Sequence, residues 1–561
     1  MSKRALSPAP LPPAKRSHDL TAQRHPLSDH RPHSTFDTLL FDEIILVIFS
    51  YLSSSDLCAI QRTNRNWSRL SLDNQLWKSL YIREYGRMRL RGVRGFIGRE
   101  DGREMRPLPG RAKADSESLK DWKWMFRISS NWRTGRCSVE HLDVDEDEGI
   151  PTHTSDLNET SLLLTGNVTI AAASTLSETP RIVLSSPVHI HHTLPCPSQR
   201  PNGPVRITSL VLDQSPPEGH TGRFIAFLSS GEFALFSFDH QSPSQSRRVF
   251  TYIPSNPGPR TTSIIQAVYH HPFLVTLSRS FHLSIYELSM NSVTHQQTLS
   301  SYTSYPPSSL VLSVPTPNTY KVVLAYAVPV YPAHWSVGAT ELIFPSSGPD
   351  RMRVTSTRTT RAVDVPQGWL DEHRLRTMRE QWGRKVARVA DLQTDGKWVV
   401  LAPGQHLPGV EATPLVLSNG ATGQEDSSAS AVTLHSASGL QLYRLHLPAS
   451  GSTSAAPKIT FVRTLHGQTG PVCGLALADG RCVSLGVNGS VWVWDLEGGT
   501  GTEVGAGIAD VGPDEEDGAR AAVWEGVRAR LLQGTRGAVL FDDRRIVSAG
   551  AGGVQVRRFD I

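Results

Sequence analysis

Three histidines close together, His189, His191 and His192, come nearest in this chain to a metal-binding pattern. Alternate residues of a strand share a face, which puts His189 and His191 side by side. No nearby carboxylate or cysteine completes a ligand set, so they read as surface histidines. His270-His271-Pro272 ends a strand and turns a loop. The five cysteines, Cys58, Cys137, Cys196, Cys473 and Cys482, form no closely spaced Cys/His quartet. Cys473 and Cys482 lie in apolar, strand-like stretches where a thiol packs rather than attacks. No phosphate-cradling Gly-rich loop with Lys-Ser/Thr and no dinucleotide fingerprint follows a strand. No Gly-x-Ser-x-Gly elbow is present either. The reading is no catalytic residue, no metal site and no cofactor, so the chemistry to look for is non-covalent recognition.

The elements that would carry recognition emerge from composition. The chain has 561 residues, 39% of them apolar, enough for a sizeable core, and length alone suggests about three or four domains. Its apolar runs, such as Ile44–Phe49 and Val322–Val328, fall far short of the ~20 residues of a bilayer span, and the N-terminus lacks the apolar segment of a signal peptide. No membrane association is expected. Few, odd and scattered cysteines fit a reducing compartment, cytoplasmic or nuclear. The formal charge is +5, but unevenly spread. Residues 1–36, 83–113 and 348–388 carry +4, +6 and +5, leaving −10 on the remainder. That is no basic nucleic-acid-binding domain, and nucleic acid is not an expected partner.

Residues 1–34 form a basic tail rich in Pro and Ser with little to bury, expected to be disordered. From Phe36 the pattern changes. Leu40, Ile44, Ile45, Ile48, Phe49 and Leu52 fall on one broad helical stripe, with Asp42 and Glu43 in the first turn where acidic groups suit the helix dipole. Ser53-Ser54-Ser55-Asp56 breaks this helix and caps a second, along which Leu57, Ile60, Trp67 and Leu70 continue the apolar face. Leu76-Trp77 with Leu80-Tyr81 opens a third. A unit of roughly 45 residues is near the lower limit for an independent core, and its apolar stripe needs a partner surface.

These residues resemble the F-box: Leu40-Phe41-Asp42-Glu43-Ile44-Ile45, Ile48-Phe49-Ser50-Tyr51-Leu52, Asp56-Leu57, Asn64-Arg65-Asn66-Trp67 and Leu76-Trp77, over residues 36–82. One departure is visible, Phe41 where the family usually has Pro. The resemblance implies that Leu40, Phe41, Ile44, Ile45, Ile48, Phe49, Leu52, Leu57, Trp67, Leu76 and Trp77 dock a Skp adaptor. After an Arg/Gly-rich insertion at 83–113, Asn131-Trp132-Arg133-Thr134-Gly135 resembles the linker helices that precede the propeller of F-box/WD-repeat proteins.

From about residue 160 short strands alternate with turns, and one pattern returns in Phe227–Asp239, Val275–Leu288, Val432–Leu447, Val483–Leu496 and Val547–Ile561. Their starts are 48, 157, 51 and 64 residues apart, near the ~40–50-residue period of propeller blades. The long gap leaves room for two further blades, with Lys321–Val330 and Trp398–Leu401 as candidate strands, and Arg181–His192 suggests an earlier one. Within Leu465–Leu496 the sequence resembles a WD repeat, whose buried hydrogen-bond network maps onto Gln468, Ser484, Asn488 and Trp494. Residues Cys473 and Val487 stand where some family members carry phosphate-reading arginines, and neither is basic.

The expected fold is therefore α+β multidomain. A disordered tail (1–34) precedes a three-helix F-box (35–82) and an insertion with linker helices (83–138). A divergent WD-repeat-like all-β propeller follows (139–561), of seven blades with eight as the alternative, interrupted at 348–388 and 402–430. A helix is expected within Gly368–Lys385. The resemblance implies a non-catalytic substrate receptor of a Skp–cullin–F-box ubiquitin ligase, bound through the adaptor to a cullin and holding a protein substrate on its propeller. The alternatives are a propeller scaffold outside any ligase, or RNA or chromatin binding through the basic insertions.

Overall fold

The computed structural model describes residues 39–86, 121–142, 160–404, 439–505 and 537–561, with short interruptions. The basic tail, most of the 83–113 insertion and residues 405–430 lie outside the described residues, as does His189. The chain divides into two compact units, Met1–Leu76 and Trp77–Ile561.

The first unit holds α1 (Asp42–Phe49), α2 (Ser54–Ile60), α3 (Arg65–Ser71) and the start of α4 (Asn74–Tyr81). Each boundary has a side-chain cause. Ser53 and Asp56 form a reciprocal capping box at α2. The Trp67 amide donates to Asn64 Oδ1 at 2.7 Å and starts α3, while the Gln75 and Leu76 amides donate to Asp73 Oδ1 ahead of α4. The expected second helix is thus two helices, because Asn64 takes over the backbone donor that a continuous helix would have used. Ile45, Phe49, Leu57 and Leu70 form the core, with Trp67 edge-on to Phe49 at 5.7 Å.

In the second unit, the end of α4 and the turn Ile82–Gly86 meet α5 (Trp122–Thr134) through aromatic rings. Trp77 and Tyr85 lie edge-on to Phe126 at 5.5 and 5.3 Å, and Tyr81 lies 5.5 Å from Trp122. Asp121 caps the start of α5 and Gly135, at φ 73°, ends it.

Twenty-eight strands, β1–β28 in chain order, form seven four-stranded antiparallel sheets among the described residues. Blades 1 to 6 are β2–β5 (160–195), β6–β9 (207–252), β10–β13 (264–300), β14–β17 (305–361), β18–β21 (389–465) and β22–β25 (472–504). Blade 7 joins β26–β28 (538–558) to β1 (Ser138–Leu142), which pairs with β28 in the register Ser138↔Arg558 to Leu142↔Val554. The first strand of each blade neighbours that of the next, and the last returns to the first, so the ring is closed. Side chains cross between these inner strands: Gln266 donates to the Ser308 carbonyl, and Ser309 to Gln393 Oε1.

A separate apolar cluster fills each of the seven gaps between blades. Neighbouring residues face different gaps: Val322 packs toward blade 3 and Val323 toward blade 5, and Val399 and Val400 divide likewise between blades 4 and 6. Strands buried on both faces need no polar alternation, which explains the unbroken apolar runs Val322–Val328 and Trp398–Ala402.

Four of the five echoed segments are the hairpin between the second and third strands of a blade, as Val275↔Ile285, Val483↔Val493 and Val547↔Val556 show. The fifth needs correction. Residues 432–438 lie outside the described residues, and Leu440–His446 pairs with Trp398–Pro403 in the register Trp398↔Arg444. Trp398–Leu401 is therefore part of that blade, and a single blade containing Lys321–Val330 occupies the long gap. Its strands reach twelve residues, which takes up chain that a shorter period would have assigned to another blade. Arg181–His192 supplies the third and fourth strands of blade 1.

Candidate functional site

On α1 two apolar rows diverge. Ile45 and Phe49, one turn apart, point inward and are buried. Phe41, Ile44, Ile48 and Tyr51, spaced three, four and three residues apart, stay exposed with Val47 beside them; Phe41 is 72% and Tyr51 83% accessible. Covering such a row of large apolar side chains would return about 1 kcal/mol or more for each. The backbone of Phe41 lies at φ −72°, an angle proline also adopts. Phe in place of Pro therefore keeps the entry to α1 and adds an exposed ring.

The structure divides the predicted docking set. Phe41, Ile44 and Ile48 are exposed, and Leu40, Leu52 and Trp67 half-buried. Ile45, Phe49, Leu57, Leu76 and Trp77 are buried in the packing of the helices. Leu39, Val47 and Tyr51 complete the exposed row and were missing from the predicted set. The 3.6-residue period would have found Val47 and Tyr51, had inner and outer stripes been separated.

α5 seats itself on the propeller through the predicted Asn-Trp-x-x-Gly step. Asn131 Nδ2 donates to the Phe559 carbonyl at 2.8 Å, and Trp132 Nε1 to the Asp543 carbonyl at 3.0 Å. A Cβ on Gly135 would come within 2.1 Å of the Glu503 carbonyl oxygen. Each of the three residue types has its own reason to be there.

In blade 6, Trp494 Nε1 donates to Ser484 Oγ at 2.8 Å, and Ser484 Oγ donates to Gln468 Oε1 at 2.6 Å. Three of the four predicted network residues are thus linked and buried. Asn488 is exposed, and its Oδ1 accepts from the amide and hydroxyl of Ser490 in the turn. Among the described residues no three His, Cys, Asp or Glu side chains come together as a metal site. His191 pairs with Ser185 at 3.1 Å.

Antiparallel strands sort the connections into two sets. The β26–β27 turn that carries Asp543 and receives α5 is at one end of the ring; connections between successive blades are at the other. The blade 4–5 connection there includes α6 (Glu372–Gly383) within the predicted helical stretch.

Residues 183–547, about two-thirds of the chain, match the family model described as the F-box protein pof12 beta-propeller. The chain belongs to this family of F-box proteins. Its residues 42–83 match the F-box-like model, so α1 with the exposed Ile44, Ile48 and Tyr51 lies inside an F-box. Relatives of this F-box protein match over shorter stretches. It is 32% identical over 116 residues to the F-box/LRR-repeat protein 5 of Pongo abelii, covering 21% of this chain and 14% of that protein. It is 26% identical over 130 residues to an F-box protein of Saccharomyces cerevisiae, covering 21% of this chain and 20% of that one. The chain thus spans a fifth or less of these relatives' own lengths. Among solved structures, Saccharomyces cerevisiae Sqt1 aligns over 72% of this chain and 96% of its own at 10% identity, with a TM-score of 0.36.

Proposed function

We propose that this F-box protein is the substrate-recognition subunit of a Skp–cullin–F-box ubiquitin ligase. The observation that supports this most is the exposed row Phe41, Ile44, Ile48 and Tyr51 along and flanking α1, all but Phe41 inside the segment that matches the F-box model. A Skp-type adaptor covers that row and connects the chain to a cullin. The propeller presents a protein substrate from the loops between its blades, and the chain contributes proximity to a transfer carried out by other subunits. The reading places the protein in the cytoplasm or nucleus, where free thiols such as its five persist.

Full-length protein is captured at physiological salt in the presence of adaptor and cullin. Wild type retains both. Ile44→Asp/Ile48→Asp loses them while keeping its thermal transition, because both side chains already face water. Failure of the wild type to retain adaptor sinks the proposal.

A further inference from the structure

The connection between blades 4 and 5 contains a helix that the propeller does not need. The Arg374 amide donates to the Asp371 side chain at 2.7 Å to cap the start of α6. Its far end is pinned: the Arg384 guanidinium lies 4.3 Å over the Phe461 ring, Gln441 Nε2 donates to the Arg384 carbonyl at 3.0 Å, and Trp335 and Val386 exchange backbone hydrogen bonds. Between these anchors α6 buries no residue. Leu375, Met378 and Trp382, at i, i+3 and i+7, form a half-buried row. Arg374 and Arg379 project on either side of that row, with Arg376 further round the helix. All three arginines are exposed and, among the described residues, none pairs with a carboxylate. Just before the cap, Trp369 is 89% exposed.

Twelve residues of helix are marginal in water on propensity alone, and this one gains little from burial. An exposed indole five residues before the first of three unpaired guanidiniums combines the two side-chain types that dominate binding hot spots. We propose that α6 and Trp369 form a recognition surface for an acidic protein segment that carries an apolar residue. The guanidiniums take carboxylates, and the indole takes the apolar side chain. The surface is at the end of the ring opposite α5, among the loops between blades. That such a segment belongs to a ligase substrate rests on the substrate-receptor reading above. The half-buried strip of Leu375, Met378 and Trp382 between Arg374 and Arg379 takes aliphatic side chains, which RNA lacks, so a protein partner fits better than RNA.

The test uses full-length protein and fluorescence anisotropy with a short labelled peptide of Glu-Glu-Leu repeats, a Lys-Lys-Leu peptide and an oligoadenylate RNA of equal length. The Glu-Glu-Leu peptide is expected to bind in preference to both and to weaken as salt rises. Arg374→Glu/Arg376→Glu/Arg379→Glu should weaken it roughly tenfold or more, and Trp369→Ala severalfold, both with an unchanged thermal transition. Unchanged binding by the charge-reversed variant, equal binding of the Lys-Lys-Leu peptide, or tighter binding of RNA would overturn the assignment. Adaptor capture on the same samples separates the two readings. If capture fails while peptide binding stands, only the ligase reading falls. If capture stands while charge reversal leaves peptide binding intact, only the α6 assignment falls.

Discussion

Trp132 lies flat on Phe559, ring centroids 4.0 Å apart and planes 14° from parallel, although 427 positions of chain separate them. The same indole donates to the Asp543 carbonyl, and the Arg481 guanidinium lies 5.0 Å over its ring. The helix that leads out of the F-box segment is thereby part of the blade 6–7 core, together with Ile128.

Trp132→Ala is accordingly expected to cost about 3–5 kcal/mol, the usual range for emptying a large aromatic site. Denaturant unfolding of the full chain measures this. Gly135→Ala should also destabilise, since it combines a left-handed backbone angle with the 2.1 Å approach to Glu503. A transition as stable as wild type in both variants would mean that α5 contributes nothing to the propeller.

Adjacent isoleucines on α1 should behave in opposite ways. Ile45 is fully buried, and Ile45→Ala is expected to cost about 2–5 kcal/mol. Ile44 is 45% exposed, and Ile44→Ala should stay within roughly 0.5 kcal/mol in stability. Thermal melts of the two variants side by side give the comparison. Equal losses would place both side chains in the core.

In blade 6, Ser484→Ala strands the buried Trp494 N–H and the Gln468 carbonyl at once. The expected loss is about 1–3 kcal/mol. Trp494→Phe in the Ser484→Ala background should cost less than it does alone, because the donor it removes is already unpaired. Additive losses in this double-mutant cycle would argue against a coupled network.

Cysteine reactivity should follow burial. Cys58 is exposed, whereas burial pushes the Cys196 thiol up to about 12 and the fully buried Cys482 thiol higher still. In native protein a thiol reagent should modify Cys58 first, and Cys196 and Cys482 only on unfolding. Both buried thiols have folded pKa values above the unfolded value of about 8.5, so their contribution is complete below that pH. Stability is expected to fall as pH rises past it, and less steeply in Cys482→Ser. Mass spectrometry of labelled peptides and unfolding across roughly pH 7–10 check the two parts.

What depends on neighbours along the chain is legible in the residues alone. Helix periodicity, the Ser53 cap and four of the five repeated hairpins are local patterns that map onto observed elements. The residues Asn131, Trp132 and Gly135 could be picked out as a step, but not given partners, because those partners lie at 503, 543 and 559.

Contacts between segments distant along the chain fix the rest. The single apolar stripe of residues 40–52 separates into a buried row and an exposed row only once α3 packs against one side of α1. Whether Trp398–Leu401 begins a blade or joins Leu440–His446 depends on pairing across residues outside the repeat, which periodicity does not encode. The basic charge of 348–388 is the plainest case. Counted along the chain it is only an excess; pinned at Arg384 and Val386, it becomes a helix with three exposed, unpaired arginines, close in sequence to the exposed Trp369. Composition sets how much charge or apolar surface exists, and packing sets which part of it water still reaches.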